Sequence, residues 1–189
     1  MNFSTLKETS TQFLSIIRNP LLSFLIKGLV LFLLWDQLFY NHLITTDIHN
    51  WVIYRLLDSS KWLLGWFYPN IETNHFNIVI NGHRCVHVGI PCNGIDVMGI
   101  FTCLILAFKA PWFHKLWMIV CGIAIIFALN SIRASALAAI IINHRKAFDI
   151  NHKYIFNFIL YGILLLIFYL WSSRFGTVTD KETIKQSGI

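Results

Sequence analysis

A chain of 189 residues that is 56% hydrophobic and only 13% charged does not have the composition of a soluble domain, and it indicates a protein that resides in a lipid bilayer. The formal net charge of +6 does not indicate nucleic-acid binding, because the basic residues are scattered over several connections rather than gathered on one face. Composition and charge therefore exclude a soluble domain and a nucleic-acid-binding domain.

Four apolar runs have the length, or nearly the length, to cross about 30 Å of hydrocarbon, which takes roughly 20 helical residues. They predict transmembrane helices at residues 21–40, 92–108, 116–142 and 154–171. The second run is the shortest and reaches this length only if its helix begins near Cys92. Residues 1–20 are too long and polar for the start of a signal peptide, so the first run is predicted to be a retained anchor.

Residues 41–91 are predicted to lie outside the membrane and to begin with an amphipathic helix. In the stretch 51–68, Arg55, Asp58 and Trp62 lie opposite an apolar face. That apolar face consists of Val52, Ile53, Leu56, Leu57, Leu63, Leu64 and Phe67. A charged face opposite an apolar one is typical of a helix that lies in the membrane interface, so this stretch is not predicted to span.

A β-hairpin is predicted after this helix. The segment HFNIVINGHRCVHV, residues 75–88, contains two alternating runs joined by Asn81 and Gly82, a pair suited to the positive φ angles of a type I′ turn. The second strand runs almost directly into Cys92. The predicted fold class is therefore an all-α polytopic membrane protein, with a single integral membrane domain over residues 1–189 and a small extracytoplasmic β-hairpin.

The orientation of the protein in the membrane is predicted from the loops that connect the spans. The turn KAPWFHK, residues 109–115, is short, basic and aromatic, which is typical of a cytoplasmic turn. With residues 1–20 and the tail 172–189 also in the cytoplasm, four spans place Cys92 on the outer side. Arg145, Lys146 and Lys153 oppose this assignment, because they fall in an outer connection, unless they serve a site or pair with Asp149.

The stretch GIPCNGIDVMGIF, residues 89–101, indicates a nucleophile. At a helix N-terminus the thiol of Cys92 would have a lowered pKa, and the backbone N–H groups at Asn93 and Gly94 would be available to bind an oxyanion. A cysteine near a membrane helix is more often structural, so this interpretation depends on the residues around it. A disulfide between Cys85 and Cys92 would disable the nucleophile.

Arg133 is the second candidate, because a charged side chain at the bilayer centre costs about 3 kcal/mol and needs a polar partner or a wet cavity. At about 1.5 Å per residue from Leu116, it lies roughly 25 Å along its helix, near the outer boundary of the membrane and level with Cys92. Asn130, three residues earlier, shares its face and can orient it. The alternative interpretation is an arginine that snorkels to the interface.

His152, just before the fourth span, is the candidate general base and acid, because its unperturbed pKa of about 6.5 is close to operating pH. His144 lies eight residues earlier and competes for this role. Arg133 stays protonated and cannot act as a base, so it would stabilise the thiolate or the negative charge that develops on a carbonyl oxygen. The sequence leaves the choice between the two histidines open.

These residues resemble the exosortase/archaeosortase family of membrane transpeptidases. In that family Cys-x-Gly-(Ile/Leu) heads one span, Asn-x-x-Arg lies in the next, and a histidine precedes the following span in bacterial members. Here the three motifs read CNGI from Cys92, NSIR ending at Arg133 and NHKYIFNFILYG around His152. The resemblance covers residues 76–171, although the chain is shorter than many members of the family.

The resemblance implies a function that spacing alone does not show. It implies a cysteine peptidase and transpeptidase of the bacterial inner membrane, with its active site on the periplasmic side and no cofactor or metal. Its substrates would be proteins with a C-terminal sorting signal made of a short motif, an apolar helix and a basic cluster. Cys92 would hold the fragment that carries the scissile carbonyl group as a thioester and pass it to an unidentified acceptor. The gap between the spans would receive the substrate helix.

Two rival interpretations come from the residues themselves. His83, Cys85 and His87 alternate along one predicted strand, with His75 on the partner strand, and could bind zinc. Alternatively, a non-enzymatic membrane scaffold or assembly protein would use Arg133 and His152 only for pairing with acidic groups, namely Asp96, Asp149 or a lipid phosphate. Asp96 is such a group, although four residues after Cys92 it could instead orient a catalytic partner.

Overall fold

A computed structural model describes residues 20–42, 46–89, 92–143 and 155–186, with side chains of the last helix described as far as Phe175. Over these ranges the chain forms five α-helices and one three-stranded sheet. The elements are α1 (Pro20–Asn41), α2 (Asp47–Leu64), β1 (Ile71–Asn74), β2 (Asn77–Ile80), β3 (His83–His87), α3 (Ile95–Ala107), α4 (Trp112–Asn143) and α5 (Phe156–Gln186).

Three of the helices are long and apolar enough to cross a membrane, over Pro20–Phe39, Trp112–Asn143 and Phe156–Phe175. The predicted count of four spans is not confirmed, because α3 has only 13 residues and a length of about 20 Å. Gly94, with φ of 79°, precedes the helix, and Phe108 ends it in an extended conformation with ψ of 143°. The last helix, α5, continues to Gln186 and so includes most of the predicted tail at residues 172–189.

Glycines bring α3 close to both of its neighbours. Gly99 lies against the indole ring of Trp35 in α1, and a Cβ atom added there would overlap that ring. Gly122 of α4 faces the ring of Phe101 in the same way. Because the helices meet through glycine, α3 lies between α1 and α4, and its N-terminal end is held against the middle of α4.

The second half of α4 carries a layer formed by α2 and the sheet, here called the α2–sheet layer. Its buried apolar residues form one cluster with Ala134, Leu137 and Ala138 of α4. The α2 and sheet members of the cluster are Ile53, Leu56, Leu57, Leu64, Ile78, Ile80, Cys85, Val86 and Val88. The predicted amphipathic helix is therefore present, but it begins at Asp47 and its apolar face packs on protein.

The exposed face of α2 agrees with the sequence pattern. Arg55, Asp58 and Trp62 are all exposed, and Arg55 forms an ion pair of 4.0 Å with Asp58. The sequence pattern places Phe67 on the apolar face, but its side chain is 80% exposed because the helix ends at Leu64.

The predicted hairpin corresponds to β2 and β3, and Asn81 and Gly82 have the expected positive φ angles of 51° and 78°. The sheet also contains β1, which was not predicted and pairs antiparallel with β2. The turn between β1 and β2 uses His75 and Phe76 at φ of 44° and 63°. Phenylalanine rarely adopts a positive φ angle, so the sequence carried little signal for this turn.

Candidate active site

The turn between β3 and α3 holds Cys92 at the edge of the α2–sheet layer. The thiol is half-buried and packs against the apolar cluster of that layer. The Cys92 backbone N–H donates a hydrogen bond of 3.0 Å to the carbonyl oxygen of Gly89. Because α3 begins at Ile95, Cys92 lies in the turn before the helix, whereas the sequence analysis places it at the start of the helix itself.

Asn93 fixes the shape of this turn. Its side chain is fully buried, and its Oδ1 atom accepts a hydrogen bond of 3.0 Å from the backbone N–H of Ile95. This bond satisfies one of the N–H groups that have no partner within the first turn of a helix. Asn93 therefore acts through its side chain, a role that the sequence analysis, which considered its backbone, did not assign.

Gly94 allows the Cys92 turn to lie directly against α4. It has a left-handed conformation, and a Cβ atom added there would overlap the amide of Asn130. The Asn130 Nδ2 atom in turn donates a hydrogen bond of 2.9 Å to the carbonyl oxygen of Ile126, so it cannot move away without losing that bond. The predicted supporting residues Asn93, Gly94 and Asn130 are therefore in one contiguous packing unit.

Replacement of Gly94 by alanine is expected to displace the Cys92 turn and to lower the thermal unfolding temperature in detergent. Two matched variants separate the causes. Gly82 has a similar φ of 78°, but no atom lies within 4 Å of a Cβ added there. Gly82→Ala should therefore lose only about 1 kcal/mol of stability, from backbone strain. Gly162→Ala has neither problem and should unfold like the wild type. Equal unfolding temperatures for Gly94→Ala and Gly82→Ala would contradict the close contact with Asn130.

Arg133 lies one turn after Asn130 on α4 and is only 9% exposed. Its guanidinium interacts electrostatically with the Cys92 thiol, so the structure brings together two of the three predicted catalytic residues. Burial raises the pKa of this thiol, while Arg133 and a backbone hydrogen bond with Gly89 lower it by less. The net direction is opposite to the expected lowering, because loss of hydration outweighs the nearby charge, and the resting group is the neutral thiol.

A neutral thiol needs a base, and the two predicted candidates, His144 and His152, lie outside the described residues. The described part of the site contains a different histidine, His49, near the start of α2. His49 is buried, and its Nδ1 atom lies 3.0 Å from Nδ2 of Asn93. Since Oδ1 of Asn93 is already bound to Ile95, Nδ2 is the donor and Nδ1 of His49 is the acceptor, which makes His49 neutral with its proton on Nε2.

His49 was missed by the sequence analysis, although a signal was present. It lies four residues before Ile53 and thus on the buried face of α2, where a polar side chain needs a partner. The apolar pattern predicts a helix only from residue 51, which leaves His49 outside it. No sequence pattern identifies Asn93 as the partner, because the two residues are 44 positions apart.

The pH dependence of stability is expected to report on His49. Burial lowers the pKa of His49 in the folded protein. As the pH falls through about 6.5, this histidine becomes protonated in the unfolded chain but stays neutral in the folded chain, so the free energy of unfolding decreases. His49→Gln can still accept the bond from Asn93 but does not titrate, so its unfolding temperature should match the wild type at pH 8 and fall less at pH 5.5.

The apolar variant His49→Leu separates the hydrogen bond from the titration. It leaves the Asn93 amide without an acceptor and should lose about 1–3 kcal/mol of stability at pH 8. Both quantities can be read from tryptophan fluorescence during heating in detergent. Identical pH profiles for the wild type and His49→Gln would contradict the assignment of a neutral His49.

The remaining predicted groups do not join the Cys92 site. Asp96 lies close to Asp36 of α1, and the charge that acts on it is that carboxylate. Cys85 and Cys92 are both free thiols, so the disulfide considered above is not formed.

The zinc interpretation has no support within the described ranges, where no three His, Cys, Asp or Glu side chains are placed to hold a metal ion. Cys85 is buried while His83 and His87 are exposed, so the three do not converge. The ring of His87 lies 3.0 Å from the Oδ1 atom of Asn77.

Comparison with known proteins supplies the family. A family model described as transmembrane exosortase (Exosortase_EpsH) matches residues 16–170, which is most of the chain. Neither curated proteins nor solved structures show a significant match. The matched range contains the Cys92 turn, the α4 motif with Asn130 and Arg133, and His152. The resemblance that these three motifs suggested is therefore confirmed.

Proposed function

The chain belongs to the transmembrane exosortase family, and on this premise we propose that it is a cysteine-dependent membrane transpeptidase. It cleaves a C-terminal sorting signal of secreted proteins and transfers the product to an acceptor. It acts in the bacterial inner membrane with its site on the periplasmic side. The observation that carries the proposal is that the half-buried Cys92 thiol interacts electrostatically with the buried Arg133. The turn that contains Cys92 is fixed by the hydrogen bond of Asn93 and by the close approach of Gly94 to α4.

The proposed reaction begins with the neutral thiol. His152 removes the proton from Cys92 as the sulfur attacks the carbonyl carbon of the scissile peptide bond. Arg133 stabilises the negative charge that develops on the carbonyl oxygen. The peptide C–N bond then breaks, the leaving amine takes the proton from His152, and the carboxyl side remains on Cys92 as a thioester.

The second half of the reaction repeats these roles. An acceptor with a nucleophilic N–H or O–H group attacks the thioester, His152 takes its proton, and the Cys92 sulfur leaves with that proton restored. The burial that raises the pKa of the thiol suits this order, because a neutral thiol needs a base to become the attacking thiolate.

Two adjoining apolar cavities support the entry of a membrane-embedded substrate beside this site. They have volumes of about 520 and 390 Å³, lie between α2 and α4, and share Leu63 and Ile132 in their walls. Ile132 is the immediate neighbour of Arg133 in the chain. An apolar segment placed along this groove would pass the level of Arg133 where the two cavities meet at Ile132.

The test uses membranes that contain the full chain and a candidate substrate with a C-terminal sorting signal. Wild type, Cys92→Ala, Arg133→Ala, His152→Ala and His144→Ala are compared by mass spectrometry for a thioester adduct and for processed substrate. The proposal expects an adduct on Cys92 in the wild type and loss of processing without Cys92, Arg133 or His152. Processing that depends on His144 but not His152 would reassign the base. A non-enzymatic scaffold would tolerate Cys92→Ser in every assay.

A further inference from the structure

A separate cavity lies at the opposite end of α3 from Cys92. Because α3 has 13 residues, its C-terminal end is about 20 Å from the Cys92 turn. The cavity has a volume of about 610 Å³ and is here called the lysine cleft. Its walls are Pro20, Leu21, Ser23, Phe24, Lys27, Ala107, Phe108, Lys109 and Phe168. It is thus formed by the start of α1, the end of α3 and the middle of α5.

The apolar side of the lysine cleft is built from three aromatic rings, one from each of these parts. Phe108 contacts Phe24 edge-on at 6.0 Å and Phe168 edge-on at 5.6 Å between ring centroids. Phe24 and Phe168 stack at 6.4 Å. Rings in such arrangements support one another, so the wall is already formed without an occupant.

The polar side of the lysine cleft is positively charged. Lys27 and Lys109 line it directly. Lys115 of α4 lies close enough to Lys27 for the two ammonium groups to repel, and it donates a hydrogen bond of 2.9 Å to the Leu106 carbonyl. Three cations are therefore gathered around one end of the helix bundle.

The acidic side chains that the structure describes lie elsewhere. Asp36 and Asp96 are together near the first turn of α3, and the others belong to α2 and the sheet. The complete set over the described side chains is Asp36, Asp47, Asp58, Glu72 and Asp96. No member of this set lines the lysine cleft, so its positive charge is not neutralised by any of them.

We propose that the lysine cleft binds the phosphate headgroup of an anionic phospholipid, with an acyl chain against Phe24, Phe108 and Phe168. The phosphate lies between Lys27 and Lys109, where charges are complementary. Basic pockets between membrane helices bind phospholipid headgroups in this way. This site is independent of the reaction at Cys92.

Depth and size both favour a lipid over a soluble anion. Lys27 follows Pro20 by seven residues and so lies about 10 Å along α1, at a level where an uncompensated ammonium group is unfavourable. A phosphate group that is anchored in the bilayer neutralises it there without leaving the membrane. A volume of 610 Å³ holds a headgroup and the first part of a chain, and the exposed Leu25 and Leu29 of α1 can accompany the rest.

The test measures lipid that is retained by the purified full chain. The protein is reconstituted in nanodiscs of phosphatidylcholine that contain a minor fraction of phosphatidylglycerol, and bound lipid is counted by native mass spectrometry after release. The proposal expects phosphatidylglycerol to be enriched on the wild type and its enrichment to fall at least tenfold in the Lys27→Gln, Lys109→Gln double variant. Lys27→Arg keeps the charge and should retain the lipid.

Lys61→Gln is the matched control, because Lys61 is an exposed lysine of the α2–sheet layer, away from the lysine cleft. It should leave the enrichment unchanged, and an equal fall in this variant would mean that surface charge alone attracts the lipid. Thermal unfolding with inorganic phosphate added to protein in neutral lipid distinguishes the source of the anion. Equal stabilisation by inorganic phosphate, or full retention of phosphatidylglycerol by the double variant, would overturn the proposal.

Discussion

Cys92→Ala and Cys92→Ser are expected to lower the rate of substrate processing at least about a thousandfold, because removal of a covalent nucleophile leaves only the binding and electrostatic contributions of the site. Serine keeps the size and a hydroxyl group, but a hydroxyl is a far weaker nucleophile than a thiol at neutral pH. The rate is measured in membranes from the appearance of the cleaved substrate. No thioester adduct should form in either variant.

The control for this pair is Cys121→Ser. Cys121 is an exposed cysteine of α4, on the same helix as Arg133 but in its first half. Its replacement should leave processing unchanged, since it is exposed and lies nine residues, about 13 Å, before Asn130 along α4. Unfolding temperatures of all three variants should match the wild type within a few degrees. Processing by Cys92→Ser at near the wild-type rate would remove Cys92 from the mechanism and favour a scaffold.

Replacement of Arg133 by glutamine is expected to lower processing by about 10²–10³-fold, the usual effect of removing one group that stabilises an oxyanion. A second effect does not require a substrate. Arg133 lowers the pKa of the Cys92 thiol against the effect of burial, so its removal raises that pKa further. The alkylation of Cys92 by iodoacetamide should therefore shift to higher pH in Arg133→Gln.

The shape of the alkylation profile separates this charge effect from a loss of structure. A shifted midpoint with an unchanged rate at the high-pH plateau indicates that the thiol is equally accessible and only its pKa has changed. Arg174→Gln is the matched control, because Arg174 is an exposed arginine of α5. Superimposable profiles for the wild type and Arg133→Gln would show that the guanidinium does not act on the thiol.

The rate of substrate processing by Arg133→Lys is expected to lie between those of the wild type and Arg133→Gln. Lysine keeps one positive charge but presents it as a point on a flexible chain, without the planar set of donors of a guanidinium. Partial recovery of the alkylation midpoint together with low processing would mean that Arg133 contributes geometry to the reaction as well as charge.

The sequence determined those features that depend on local pattern. Hydrophobic runs predicted α1, α4 and the first part of α5, because a helix that crosses a membrane must be apolar over about 20 consecutive residues. Alternation and the Asn81–Gly82 pair predicted β2, β3 and their turn, because few residues adopt two successive positive φ angles. Motif order along the chain indicated the family that the match over residues 16–170 then established.

Local sequence patterns did not predict the length of α3. The apolar run of residues 95–108 is itself short, and the sequence predicted a full span over residues 92–108 only by extending the helix back to Cys92. The helix is shorter because Gly94 adopts a left-handed conformation against Asn130, and this is a contact between residues 36 positions apart. The Cys92 turn exists because α4 supplies a surface that only glycine can approach.

Only the tertiary structure decided how the site is assembled. It placed the charge of Arg133 beside the Cys92 thiol and set the direction of that thiol's pKa, because burial is a property of packing and not of neighbours in sequence. It also joined His49 to Asn93 through a hydrogen bond across 44 residues. The sequence by itself predicts which side chains could do the chemistry, and regular helix rise predicts the depth at which they lie. The fold determined which of them meet, because long-range contacts are set by the packing of α2 and α3 on α4.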